Sequence, residues 1–202
     1  RDWSSDVCSS DLSVKLYNAS NFFDPRAVPE ADYGTIAARV SGLDQVIVES
    51  HPSLIGDRVD RFRNALGGVS LEVAMGLETV HPAALDALNK RMTTDDFARA
   101  AAALRARGVS IRVFLLIAPP FVPADEQDQW LLESVAFAER SGASVISLIP
   151  TRAENGAMEA LLAQQRFTPP TRDDVRRSYE LVLASLTSPV RVLLDPWAAD
   201  AR

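Results

Sequence analysis

From residue 13 onward, short apolar runs alternate with longer stretches in which apolar positions recur every three or four residues. Residues 14–17 read as a strand. Val46-Ile47-Val48 predicts a second, buried strand over 45–49, because β-branched side chains suit a pleated surface. Further strands are predicted over 69–75, 110–117, 143–149 and 190–194. The intervening periods predict helices. One runs from Pro29 to about residue 40. The next covers 57–66, with Val59, Phe62 and Leu66 on one face. A third is capped by Thr94, with Phe97, Ala101 and Leu104 aligned. A fourth spans about 125–140, with Trp130, Ser134, Val135 and Ala138 along one side. The last is capped by Thr171, with Asp174 three residues on and a stripe at Val175, Tyr179, Val182 and Leu186. Gly42, Gly67, Gly108 and Gly142 stand where four of these helices stop.

Six strands separated by helices are the pattern of a parallel α/β fold. A doubly wound open sheet and a β/α barrel both satisfy it. The run G-x-G-x-x-G is absent after the first strand, and there is no Walker loop, which disfavours the nucleotide-binding open sheets. In either architecture a ligand sits beyond the C-terminal strand ends. The polar residues expected there are Asn18 and Ser20, Glu49 and His51, Glu78 and Thr79, then Thr151 to Asn155, then Asp195 with Trp197. Pro119 and Pro120 follow the fourth strand.

Composition narrows the class. The chain has 202 residues, 47 % of them hydrophobic, and a net charge of −6. That is one domain with a sizeable core, not a disordered chain. The negative balance excludes a protein that coats nucleic acid by charge alone. Apolar runs such as 113–120 are under half the length that spans a bilayer. Cys8 is the one cysteine, so this chain cannot build an internal disulfide or a multi-thiolate metal site. A cytoplasmic domain without a membrane segment is expected. Residues 1–12, with four Ser and three Asp and no structural period, resemble translated read-through of a sequencing adapter. They are expected to be a non-native or disordered tail, with the folded domain over 13–202 and the authentic protein starting further upstream.

Each candidate has a functional and a structural interpretation. Glu49 and His51 at a strand end suit acid–base work or a carboxyl contact. They equally suit a salt bridge and a loop cap. Gly76 lets the backbone approach a ligand while Glu78 projects from the strand tip. His81 precedes Pro82 and is expected to start a helix. With two histidines and no H-E-x-x-H, a histidine zinc site is not expected. Lys15 and Lys90 are the only lysines. Lys15 could form a Schiff base in an aldolase-like barrel, or simply be a strand-edge charge. Lys90 lies at a polar junction between helices, placed to hold an anionic group.

Gly76-Leu77-Glu78-Thr79-Val80-His81-Pro82, followed by Leu88-Asn89-Lys90-Arg91-Met92-Thr93 and a helix ending Arg107-Gly108-Val109, resembles the fourth-strand region of radical S-adenosylmethionine enzymes. The version is that of the elongator and coproporphyrinogen-oxidase cores, with Lys90 where an Arg is usual. Leu115 to Pro120 resembles the fifth strand and its loop. Ile149-Pro150-Thr151, leading to Asn155-Gly156, resembles the sixth strand and the closing loop. Residues 15–22 and 48–52 resemble the subgroup related to the archaeosine synthase radical enzyme. The resemblance implies a partial (β/α)6 TIM-like barrel lacking its first strand and helix. It implies S-adenosylmethionine as cofactor, cleaved by a [4Fe–4S] cluster to a 5′-deoxyadenosyl radical that abstracts hydrogen. It also implies an electron donor such as flavodoxin or ferredoxin.

The cluster cysteines are absent, so the fragment alone is expected to bind no cluster and to be inactive. The resemblance places Asn18 and Ser20 near the methionine amino group, Glu78 and Thr79 near the ribose, and Lys90 on the carboxylate. Pro119 and the loop holding Thr151, Asn155 and Gly156 would frame the adenine, and Glu49 and His51 would face the substrate. Transfer-RNA or nucleoside modification is implied only by the archaeosine-related subgroup; the charge gives nucleic acid no support. The alternatives are a non-radical barrel lyase or aldolase and a clusterless binding module.

Overall fold

The computed structural model describes residues 12–17, 21–154 and 156–195. Asn18, Ser20, Asn155, Trp197 and residues 1–11 lie outside the described residues. Six strands form one sheet: β1 (Ser13–Leu16), β2 (Gln45–Glu49), β3 (Ser70–Glu78), β4 (Ser110–Ile117), β5 (Val145–Pro150) and β6 (Arg191–Leu194). Their spatial order is their chain order, and every neighbouring pair is parallel. A doubly wound sheet would reverse its order at a switch point. The absence of a reversal decides between the two architectures: the sheet is a curled half-barrel that alternates with helices.

Those helices are α1 (Tyr33–Val40), α2 (Asp57–Leu66), α3 (Pro82–Ala87), α4 (Thr94–Ala106), α5 (Gln127–Arg140), α6 (Ala157–Ala163) and α7 (Arg172–Ser185). The core lies between them and the outer face of the sheet. Leu71, Val73, Met75 and Leu77 of β3 and Ile111, Val113, Leu115 and Ile117 of β4 join Phe62, Phe97, Leu104 and Val182 there. Side chains alternate across a strand, so Glu72, Ala74 and Gly76, like Arg112, Phe114 and Leu116, face the concave side.

Three boundaries differ from the sequence expectation. Thr93, not Thr94, caps α4: its hydroxyl accepts from the Asp96 N–H at 3.1 Å while the Asp96 carboxylate accepts from the Thr93 N–H at 2.8 Å. That reciprocal box needs an acid three residues on, which Thr93 has. The helix expected from Pro29 opens as a single 3-10 turn over Glu30–Asp32, since no side chain caps either start. Strand β3 runs to Glu78 rather than stopping near Met75, because a bulge at Leu77 carries the chain onward against β4. Helix α6 falls in a stretch expected to be loop. Among the described residues no helix is long and apolar enough to cross a membrane.

Candidate functional site

The bulge shapes the tip of β3. Gly76 opposes Phe114 and Glu78 opposes Leu115, leaving Leu77 unmatched. Glu78 then takes φ +67 while the Thr79 N–H donates to the Leu77 carbonyl at 2.9 Å. A turn closed over two residues with a left-handed centre is strained, and strain of this kind gathers at functional sites. It aims the Glu78 carboxylate back over Gly76, where it forms an ion pair with Lys90. A Cβ at Gly76 would lie 2.5 Å from Glu78 Oε1 and 3.1 Å from Lys90 Nζ. The glycine is what allows both charges to lie against the strand.

Lys90 is held in place from both sides. Asn89 and Arg91 each adopt left-handed backbone, at φ +55 and +52. The Lys90 carbonyl lies 2.9 Å from His51 Nε2. His51 Nδ1 accepts from the Ser53 N–H at 3.2 Å, which assigns the proton to Nε2 and makes it the donor to Lys90. Both ring nitrogens are therefore engaged within the protein. His51, expected to face a substrate, instead ties the end of β2 to the Lys90 junction. His81 caps α3 by accepting from the Ala84 N–H at 3.0 Å, as its place before Pro82 suggested.

Glu49 stands on the concave side at the tip of β2, half-buried and with no ion-pair partner among the described residues. Burial pushes its carboxyl above the usual range, against the pull of Lys90 and with the support of Glu78. Thr79 and Thr151 are buried beneath the rim. The Thr79 hydroxyl accepts from the His81 N–H, and the Thr151 hydroxyl donates to the Ile117 carbonyl at 2.9 Å. The Pro119 carbonyl accepts from Gln127. Gly156 precedes α6 with open space around it, at φ +79. A cleft of about 500 Å³ opens between these strand tips, lined by Leu88, Leu116, Ile149, Thr151, Arg152 and Asp195. A second cavity of about 390 Å³ lies on the helix side of Pro120, against α5 and α7. The inner cleft meets the ends of both β4 and β5, whereas the outer cavity meets only that of β4.

Two residues went unrecognised in the sequence. Glu72 and Arg112 sit deep on the concave face, both about 2 % exposed, with Arg112 Nε donating to Glu72 Oε1 at 2.6 Å. Single charges of opposite sign inside two otherwise largely apolar strands were the available signal. Tyr17 lies nearby, its ring edge-on to Phe114 at 6.4 Å between centroids. Lys15 is exposed, 6.0 Å from the Tyr17 ring. Among the described residues no group of His, Cys, Asp or Glu is placed to hold a metal ion.

No family model matches the chain. It is 29 % identical over 169 residues to an uncharacterized protein of Methanocaldococcus jannaschii, covering 79 % of this chain and 45 % of that protein. It is 27 % identical over 166 residues to archaeosine synthase subunit beta of Methanosarcina acetivorans, covering 79 % and 48 %. The Thermococcus kodakarensis protein of the same name is 26 % identical over 165 residues, with 79 % and 51 % covered. The chain thus spans about half the length of the curated relatives it matches. Among solved structures it is similar to an N-terminally deleted Elp3 of Methanocaldococcus infernus, with TM-score 0.72, 11 % identity and 90 % and 47 % covered. Coproporphyrinogen III oxidase of Escherichia coli, a radical SAM enzyme, gives 0.58 at 14 % identity, with 86 % and 41 % covered. HMG-CoA lyase of Brucella melitensis gives 0.53 at 17 % identity, with 93 % and 61 % covered. These likenesses show the fold, a partial α/β barrel related to that of radical S-adenosylmethionine enzymes.

Proposed function

We propose that this chain, a relative of archaeosine synthase subunit beta with the half-barrel of radical S-adenosylmethionine enzymes, is the cofactor-binding core of such an enzyme. When bound, S-adenosylmethionine supplies a carbon radical for hydrogen abstraction. The observation that carries this reading is the cradle over Gly76, which offers an ammonium and a carboxylate side by side on a floor that any side chain would fill. Lys90 would take the cofactor's carboxylate as a point charge, without the two-pronged grip of Arg. Glu78 and Thr79 would take the ribose hydroxyls, and Asn18 and Ser20 the amino group. Pro119, Thr151, Asn155 and Gly156 would frame the adenine. His51 positions Lys90 through its carbonyl, and Glu49 faces the substrate from β2. A nucleoside is the substrate class that the relatives' name supports.

A [4Fe–4S] cluster does not fit the described residues. Such clusters need several thiolates, and Cys8 is the chain's one cysteine. The residues of this chain bind, orient and exclude water.

Equilibrium binding of S-adenosylmethionine tests the reading. Lys90→Ala is expected to weaken affinity by the worth of a charge-assisted hydrogen bond, about 1.5–3 kcal/mol, or roughly ten- to a hundredfold. Lys90→Arg is expected to keep most of it. The rival Schiff-base reading makes Lys15 indispensable, although a lysine that exposed lacks the burial that activates such amines. Borohydride trapping of a carbonyl substrate on Lys15, with Lys90→Ala neutral, would overturn the radical reading.

A further inference from the structure

The loop that leaves β4 cannot hold itself. Pro119, Pro120 and Pro123 have no N–H, so residues 118–123 lack half the donors a backbone turn would use. Ala118, which precedes a proline, and Phe121 both take left-handed backbone, at φ +54 and +68. Neither is glycine, so the loop is strained twice and persists only because its surroundings fix it. The Arg166 guanidinium lies over the Phe121 ring, 5.6 Å from its centroid, and Val122 is buried.

The remaining restraint is one side chain. Gln127, the first residue of α5, donates from Nε2 to the Pro119 carbonyl at 3.1 Å and to the Val122 carbonyl at 2.9 Å. Neither carbonyl accepts from a backbone N–H among the described residues. An amide nitrogen has two hydrogens, and both are used. The amide oxygen is buried without a hydrogen-bond partner. An orphaned buried acceptor is unfavourable, so this amide serves here through its two donors.

The two bonds bracket the wall between the cavities. Pro120 lines both the inner cleft and the outer cavity, and it lies between the two clamped carbonyls. A shift of Pro120 therefore widens one space at the expense of the other. We propose that Gln127 is a positioning residue for the cofactor cleft: by pinning the carbonyls of Pro119 and Val122 it fixes the Pro120 wall and so the width of the cleft. Gln127 lines the outer cavity and not the inner cleft, so it acts through the loop. The proposal rests on reading the inner cleft as the S-adenosylmethionine site.

The S-adenosylmethionine affinity of Gln127→Glu and Gln127→Met in the 202-residue chain, measured against pH, tests it. At about pH 8 a glutamate here is an ionised acceptor facing two carbonyls; toward about pH 5 burial lets it take up a proton and regain one donor. The affinity deficit of Gln127→Glu relative to wild type is expected to be roughly tenfold at the higher pH and to narrow at the lower. Gln127→Met has no donor at any pH and is expected to keep a constant deficit. Asp128, Asp174, Arg166 and Arg177 line the same cavity and are common to all three proteins, so the ratio to wild type removes their own titration. Wild-type affinity in both variants, a Gln127→Glu deficit that does not change with pH, or collapse of both folds would overturn the proposal.

Backbone amide shifts of the cofactor-free proteins separate this role from the reading it rests on. Gln127→Met is expected to move the signals of Leu116, Ile149 and Thr151, which line the cleft with Pro120, as well as those of Phe121 and Val122. Shifts confined to the loop would overturn the positioning role. The wider shifts in a protein whose wild type binds no cofactor would instead overturn the cofactor reading and leave the wall standing.

Discussion

The two ends of the sheet solve the same backbone problem with different residues. Where helices turn down into strands, left-handed backbone is taken by Gly67, Gly108 and Gly142, at φ +66, +66 and +85. At the opposite rim Glu78, Asn89, Arg91, Ala118, Phe121 and Gln165 adopt it alongside Gly156. A side chain in that conformation costs roughly 1–2 kcal/mol per residue, and glycine avoids most of it. The lower end needs only a turn and uses the residue that turns most easily. The rim keeps its side chains despite the strain, and it is there that the ion pair, the cleft and the carboxylate of Glu49 gather. Strain borne mostly without glycine sets the rim apart from the lower end of this half-barrel.

The contrast is sharpest directly beneath the rim. Arg112→Met leaves Glu72 buried and uncompensated, and is expected to destabilise by about 3–5 kcal/mol in denaturant unfolding. Adding Glu72→Leu is expected to recover most of that loss. Failure to recover would mean that packing rather than charge holds the floor.

A smaller effect separates the two ends themselves. Gly108 has open space around it, so Gly108→Ala meets only the backbone penalty and is expected to cost about 1–2 kcal/mol in thermal unfolding. Ala118→Gly at the rim is expected to be neutral or stabilising by up to about 1 kcal/mol, because relief of strain exceeds the entropy of glycine. Equal losses at both positions would break the comparison.

The smallest effect is a pH dependence at Glu49. Burial raises its carboxyl above the ordinary value of 4.5, so the fold favours its protonated form. The stability this contributes is fully present below that ordinary value and is lost as pH rises through the raised one. Between about pH 4 and 7 the wild type is expected to lose slightly more stability than Glu49→Gln. Parallel curves would remove Glu49 from the buried charges of the rim.

Most of the strand and helix pattern was legible, because its signals are local. Val46-Ile47-Val48, the Thr171–Asp174 box and the histidine before Pro82 each carry their structure in a few neighbouring residues. The choice of barrel over open sheet came through the resemblance and not from the pattern, because strand order is a non-local property that no spacing records. The Glu78–Lys90 pair lay within reach only through resemblance: Gly76 and Lys90 are fourteen residues apart, and the bulge that joins them depends on register against β4. The role of His51 was hidden for the same reason, since its partner is a backbone carbonyl thirty-nine residues away. Glu72 and Arg112 were in plain view as lone charges in apolar strands, yet period alone does not say that two such charges meet.

The central claim is that the cradle over Gly76 receives S-adenosylmethionine. Backbone amide shifts of the 202-residue chain, followed as the cofactor is added, test it most directly. Saturable shifts centred on Gly76, Glu78, Lys90 and Thr151, lost in Lys90→Ala and kept in Lys90→Arg, are the expected result. Shifts confined to the outer cavity between α5 and α7, or none at millimolar cofactor, would contradict it.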